Sequence, residues 1–168
     1  MRRLLLPLLA IVLLTSLVGP PGEAVAIPPR PAPAMQLTDL RGRAVDWKRF
    51  EGKVVLVDFW ATWCAPCRLA MPEMQVLHDR YAARGFTVLG ISVDQQGPAN
   101  VERFVTSRKL TYPIAIDNPR DPVALRFGVR ALPTAFLVDG KGRIVVRWVG
   151  SPDKKDLERH LKRMLPTG

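Results

Sequence analysis

The chain is poor in the residues that hold metals and cross-links. Its 168 residues include two cysteines, Cys64 and Cys67, and two histidines, His78 and His160. A closed zinc site needs four ligands, and neither histidine is spaced to join the cysteines. No metal site is therefore expected, and a copper- or metal-transfer binding protein remains only as the non-enzymatic alternative. There are no internal repeats. Acids are outnumbered, 15 against 25 lysines and arginines, for a formal charge of +10. The cations are scattered singly and do not gather into a stripe, which argues against nucleic acid as a partner. The excess leaves attraction to an anionic membrane surface open. The peroxidase pattern Pro-x-x-x-Thr-x-x-Cys is also missing, because Ala61 stands in the Thr place before Cys64.

What is present begins with a leader. Arg2 and Arg3 precede an apolar stretch over residues 4–18, Gly19-Pro20-Pro21-Gly22 breaks it, and Ala24-Val25-Ala26 has the small-x-small form of a signal peptidase site. The stretch is short for a spanning helix, which wants about 20 residues. Residues 1–26 are thus read as a signal peptide, with an uncleaved anchor as the alternative, and the domain is expected outside the cytoplasm in a periplasm-like compartment. No cysteine follows the stretch to carry a lipid. Residues 27–34, Ile-Pro-Pro-Arg-Pro-Ala-Pro-Ala, read as an extended spacer. Residues 35–168 have the length of one domain with one core.

Within that domain residues 35–46 read as a hairpin around Leu40-Arg41-Gly42, and 47–50 as a short helical turn. The run 54–60 (Val-Val-Leu-Val-Asp-Phe-Trp) has the form of a strand buried on both faces. Residues 64–84 show helical spacing through Leu69, Pro72, Val76, Leu77 and Tyr81, ending at Gly85. A second buried strand is expected over 86–93, a helix over 98–109, a short strand over 114–116 and a short helix over 122–127. Strands 135–138 and 143–149 flank the turn Asp139-Gly140-Lys141-Gly142. A closing helix over 153–165 turns Leu157, Leu161, Met164 and Leu165 inward, capped by Ser151 or Asp153. Helices between buried strands, then a terminal hairpin, give an α/β fold on a central mixed β-sheet.

The chemistry lies in Trp63-Cys64-Ala65-Pro66-Cys67, at the end of the first buried strand. A disulfide that closes so short a loop constrains the unfolded chain little, so the pair is better suited to exchange than to stapling. Exchange runs by thiolate attack through a mixed disulfide. Cys64, at a helix N-terminus where unpaired N–H groups and the helix dipole favour a thiolate, is read as an exposed nucleophile. Cys67, one turn inside, is the resolving thiol. Asp58, buried in its apolar strand, should have a raised pKa and accept the proton of Cys67. Trp63 would wall the site and offer an apolar docking surface. The redox-active Cys64–Cys67 pair needs no other cofactor.

Together with Met71-Pro72 and Gly128-Val129-Arg130-Ala131-Leu132-Pro133-Thr134, this stretch resembles the TlpA/ResA-type members of the thioredoxin superfamily, over about residues 35–165. The resemblance implies a thioredoxin-like fold with an N-terminal β-hairpin and an extra helix–strand insertion. It implies a cis peptide at Pro133, with Leu132, Pro133 and Thr134 beside Trp63 as the place where a client docks. It further implies a monomer that reduces disulfides in exported clients, in cytochrome c or copper-protein maturation, fed by a transmembrane thiol carrier. Ala65-Pro66 is similar to the Gly-Pro pair of reducing thioredoxins, so reduction is expected, with a disulfide-forming oxidant of the same fold as the alternative. The chain departs from the pattern at Ala70, where many maturation reductases carry Glu, and at Ala131-Leu132, where the cytochrome branch has a Gly-x-x-Glu type loop. It also departs at Gly90, where thioredoxins place a lysine near the buried acid.

Overall fold

The structure, a computed structural model, describes residues 22 and 24–166. Among these, eight strands form one mixed sheet in the order β1-β8-β7-β4-β5-β6-β2-β3. In chain order they are β1 (Ala24–Pro31), β2 (Leu37–Asp39), β3 (Ala44–Val45), β4 (Val54–Trp60), β5 (Phe86–Ser92), β6 (Ile114–Ile116), β7 (Thr134–Val138) and β8 (Arg143–Val149). The helices are α1 (Ala65–Tyr81), α2 (Pro98–Ser107), α3 (Val123–Arg126) and α4 (Lys154–Met164). The expected hairpin is β2–β3, and the expected insertion is α2 with β6.

β4 is the central strand. It runs parallel to β5 and antiparallel to β7, and every one of its residues is buried. Its alternating side chains feed two apolar layers. Leu56 and Trp60 face α1, α2 and α4, whereas Val55, Val57 and Phe59 face α3 and the segment around Phe50. A strand covered on both sides must be apolar throughout, so Val54–Trp60 reads as an unbroken run.

The phase of α1 differs from the expected one. Cys67, Met71, Met74, Leu77 and Tyr81 turn inward, while Leu69 is 81% exposed and Val76 44% exposed. Both stripes have helical spacing. The inward one is chosen by Cys67, whose sulfur must lie against the sheet to meet Cys64. The helix stops at Tyr81, a 3-10 turn follows, and Gly85 in the left-handed region (φ 87°) admits β5.

The segment expected as a free spacer is extended, but it is paired. β1 lies antiparallel to β8 from Ala24↔Trp148 to Pro31↔Arg143, with an irregularity between Ala26 and Arg30. Prolines cannot donate to a ladder, so Pro28, Pro29 and Pro31 are tolerated because the strand is at the sheet edge. The expected leader lies outside the described residues as far as residue 21. Among the described residues no helix is long and apolar enough to cross a membrane.

α4 closes the first layer. Asp153, not Ser151, caps it by accepting from the Asp156 N–H at 3.0 Å, and Leu157 and Leu161 are fully buried. Leu157→Ala is expected to lower stability by about 2–5 kcal/mol in urea unfolding while leaving the dithiol's reduction potential unchanged. A shifted potential would mean that α4 is coupled to the site.

Candidate functional site

β4 ends at Trp60, and four residues later Cys64 caps α1. The Cys64 side chain accepts from the Cys67 N–H at 3.3 Å, and Pro66 sits in the first turn, where a missing N–H breaks no helical bond. Cys64 and Cys67 form a disulfide, with their Cα atoms 5.3 Å apart. α1 is 17 residues long, so its positive dipole end falls on the Cys64 sulfur. Cys64 is less exposed than expected, at 5%, and Cys67 is buried. Cys64 lines an open cleft of about 720 Å³ together with Trp63, Pro66, Leu125, Val129 and Leu132. Trp63, 65% exposed, forms the rim.

The Leu132–Pro133 peptide is cis. Leu132 lines the cleft and Pro133 lies behind it, with its carbonyl held by the Gly150 N–H at 2.8 Å. The side chain of Thr134, expected at the docking surface, is instead fully buried and donates its hydroxyl to the Ala131 carbonyl at 2.8 Å, so it braces the loop and does not line the cleft. Cys64, Trp63 and Leu132 are therefore brought together on the cleft, with Pro133 supporting it.

Asp58 lies beneath the cleft. It points to the α1 side of β4, between Gly90 of β5 and Ala135 of β7, and is 3% exposed. Burial alone raises its pKa to about 7.

The sequence reading missed Asp94. This buried carboxylate accepts from the Thr62 N–H and the Ser92 hydroxyl, both at 2.8 Å, and from the Thr62 hydroxyl at 2.5 Å. Asn100 donates to the same Thr62 hydroxyl. The turn that delivers Trp63 and Cys64 is thus tied to the end of β5. A 32-residue separation leaves no local signal for such a tie. Asp117, also on the cleft, is used similarly: it accepts from the N–H groups of Asn118, Val123 and Ala124 and so caps α3.

A dithiol at a helix N-terminus, a cis-proline loop facing it and a mixed sheet beneath define a thioredoxin-fold redox protein. A model of the AhpC/TSA family matches residues 28–147. The thiol-disulfide oxidoreductase ResA of Bacillus thuringiensis is 37% identical over 135 residues, covering 80% of this chain and 77% of its own. Among solved structures, a putative thiol:disulfide interchange protein DsbE from Chlorobium tepidum superposes with a TM-score of 0.75 at 30% identity, covering 83% of this chain and 99% of its own. A secreted thiol-disulfide isomerase from Corynebacterium glutamicum gives 0.71 at 27% identity, over 89% and 94%. The chain belongs to the AhpC/TSA family and is a thiol–disulfide oxidoreductase of the TlpA/ResA type.

Two measurements test the site's construction. Thr62→Val and Asp94→Asn should be coupled, with a double-mutant interaction energy of about 1–3 kcal/mol in thermal unfolding; additive losses would deny the tie. For Asp58, the folded pKa lies above the unfolded value of 3.8. Between these two values the folded state holds a proton that the unfolded state has released, so stability falls as pH rises from about 4 to about 7. Asp58→Asn should remove this component and gain on the order of 4 kcal/mol over the wild type above pH 7. Parallel pH–stability curves for the two proteins would contradict the assignment.

Proposed function

We propose that the protein is an exported reductase of client disulfides. The Cys64 thiolate attacks one client sulfur, forming the mixed disulfide and expelling the other client sulfur as a thiolate. Cys67 then attacks Cys64, forms the intramolecular disulfide and releases the reduced client. The proton of Cys67 passes to the Asp58 carboxylate as that attack begins. A transmembrane thiol carrier returns the enzyme to the dithiol. The observation that carries this reading is the position of Cys64: it caps α1, its sulfur accepts from the Cys67 N–H, and it lines an open cleft.

Docking of the client fits the same surfaces. Trp63 offers an apolar face, and the backbone of Leu132 offers strand-like hydrogen bonds to an extended peptide. Pro133 holds that backbone in place. Ala65-Pro66 is similar to the Gly-Pro pair of reducing thioredoxins, which supports reduction over oxidation. Exported clients of the cytochrome c or copper-protein maturation class follow from the TlpA/ResA likeness, although Ala70 and Ala131-Leu132 depart from the cytochrome pattern. Residues 1–26 support export. Ala24, Val25 and Ala26 pair with Trp148, Arg147 and Val146, so a leader kept as an anchor preserves the whole edge strand, whereas cleavage after Ala26 would leave it the pairs of Arg30 and Pro31. The reading takes the protein as a monomer with no nucleic-acid partner.

The reduction potential of the Cys64–Cys67 couple, measured against glutathione and dithiothreitol buffers, is expected between about −270 and −220 mV. A value near about −120 mV would make the protein a disulfide donor. Cys67→Ser should accumulate a mixed disulfide with a client through Cys64, and Cys64→Ser should abolish both trapping and turnover. Trapping through Cys67 in the Cys64→Ser variant would reverse the two roles.

A further inference from the structure

Three buried side-chain donors have no partner among the described residues, the Arg147 Nε–H, the Tyr112 hydroxyl and the Trp60 indole N–H, and the last two belong together. Tyr112 is 2% exposed and Trp60 fully buried. Leaving such a group unsatisfied in the interior is destabilising. Both lie over one point of the sheet. A Cβ added to Gly90 would meet the Trp60 Nε1 at 3.0 Å, the Tyr112 ring at 3.2 Å and the Ile114 Cδ1 at 2.8 Å. Gly90 is the residue that pairs with Asp58 across β4 and β5. Trp60, two residues along β4, points to the same face as Asp58.

The missing side chain at position 90 thus has a consequence. Where a lysine would have stood, the indole and the phenol ring reach down to the sheet. The indole N–H and the edge of the phenol ring thus lie over the residue that pairs with the buried Asp58. One internal water bonded to the two donors and the carboxylate would satisfy all three.

We propose that the Tyr112 hydroxyl, with the Trp60 N–H, hydrogen-bonds the Asp58 carboxylate through a shared internal water, making Tyr112 a positioning residue for proton uptake from Cys67. The inference rests on the reading of Asp58 as the base. In the step, the S–H bond of Cys67 breaks and an O–H bond forms on Asp58. Tyr112 keeps its own proton and only donates a hydrogen bond. Burial, with the charge of Asp58 nearby, pushes the phenol pKa well above its usual value, which suits a donor that never ionises.

The neighbours of the pair do not supply a competing charge. α1 contributes Cys67, and also His78, whose ring meets the Tyr112 ring edge-on at 6.2 Å. Burial lowers the His78 pKa, so it stays neutral near pH 7. α2 contributes Phe104, packed on Trp60 at 5.6 Å, and β5 and β7 contribute Gly90 and Ala135.

Tyr112→Phe keeps the ring over Gly90 and removes only the hydroxyl. The carboxyl of Asp58 would be titrated by carbon-13 NMR in the oxidised and reduced 168-residue protein. Its midpoint should rise by about one pH unit in Tyr112→Phe, because the ionised form loses a donor, and Trp60→Phe should move it in the same direction. Resolution of the mixed disulfide should slow about tenfold below pH 7 and match the wild type at pH 9. An Asp58 midpoint unmoved by both variants overturns the proposal. Should Asp58→Asn leave the resolution rate unchanged at every pH, the base reading fails and the positioning role with it. A midpoint still moved by Tyr112→Phe would then show the hydrogen bond on its own, so the two failures are told apart.

Discussion

β4 is paired on both edges and covered on both faces, and the functional groups are placed by that single arrangement. With β5 parallel on one side and β7 antiparallel on the other, a one-residue slip would swap the side chains of its two packed layers, putting Asp58 and Trp60 where Val57 and Phe59 now pack. Its end is therefore fixed. The turn 61–63 leaves from that end and is tied to Asp94, and α1 starts where the turn stops. The Thr134 end of β7 pairs with Phe59, which brings the Leu132–Pro133 loop to the same edge. Sulfur, loop and cleft meet because three pieces of chain end together.

The same strand sets two opposed electrostatic conditions within a few residues. At its mouth, the N–H groups of α1 point at Cys64 and favour negative charge. In its middle, burial penalises the charge of Asp58. The proposed mechanism uses both: a thiolate is favoured where the client would arrive, and the Asp58 carboxyl, raised to about 7, would take the proton that Cys67 loses. Both conditions follow from where the backbone is and where the water is not.

What could be read from the sequence was what local spacing encodes. The unbroken run of β4, the Cys-x-x-Cys at a helix start, Gly85 as a helix stop and the Asp139–Gly142 turn each declare themselves within a few residues, and each element stands where it was expected. What depends on distant partners did not show. Leu69 and Val76 have the spacing of a buried stripe, yet the phase of α1 is set by the cysteine that must reach the sheet. The prolines of β1 announce an extended chain but not the edge of β8 beside it. Thr62 and Asp94 are 32 residues apart, and neither is unusual in its own surroundings. Thr134 reads as a site residue because it follows the cis-proline, and only the Ala131 carbonyl shows that its hydroxyl is spent inward.

The construction of the cleft limits how a client can be chosen. Its acids are already engaged: Asp94 on Thr62 and Ser92, Asp117 on the first N–H groups of α3. Neither can pair with a basic client without releasing the turn or the helix it holds. The cleft also presents apolar surface from Trp63 and Leu125, the backbone at Leu132, the side chains of Gln95 and Asn118, and the cation of Arg130 at the rim. Backbone pairing is indifferent to sequence, and apolar contact discriminates weakly between side chains of similar size. On the proposed mechanism, a site built this way would select clients by whether an extended segment can present its disulfide to Cys64.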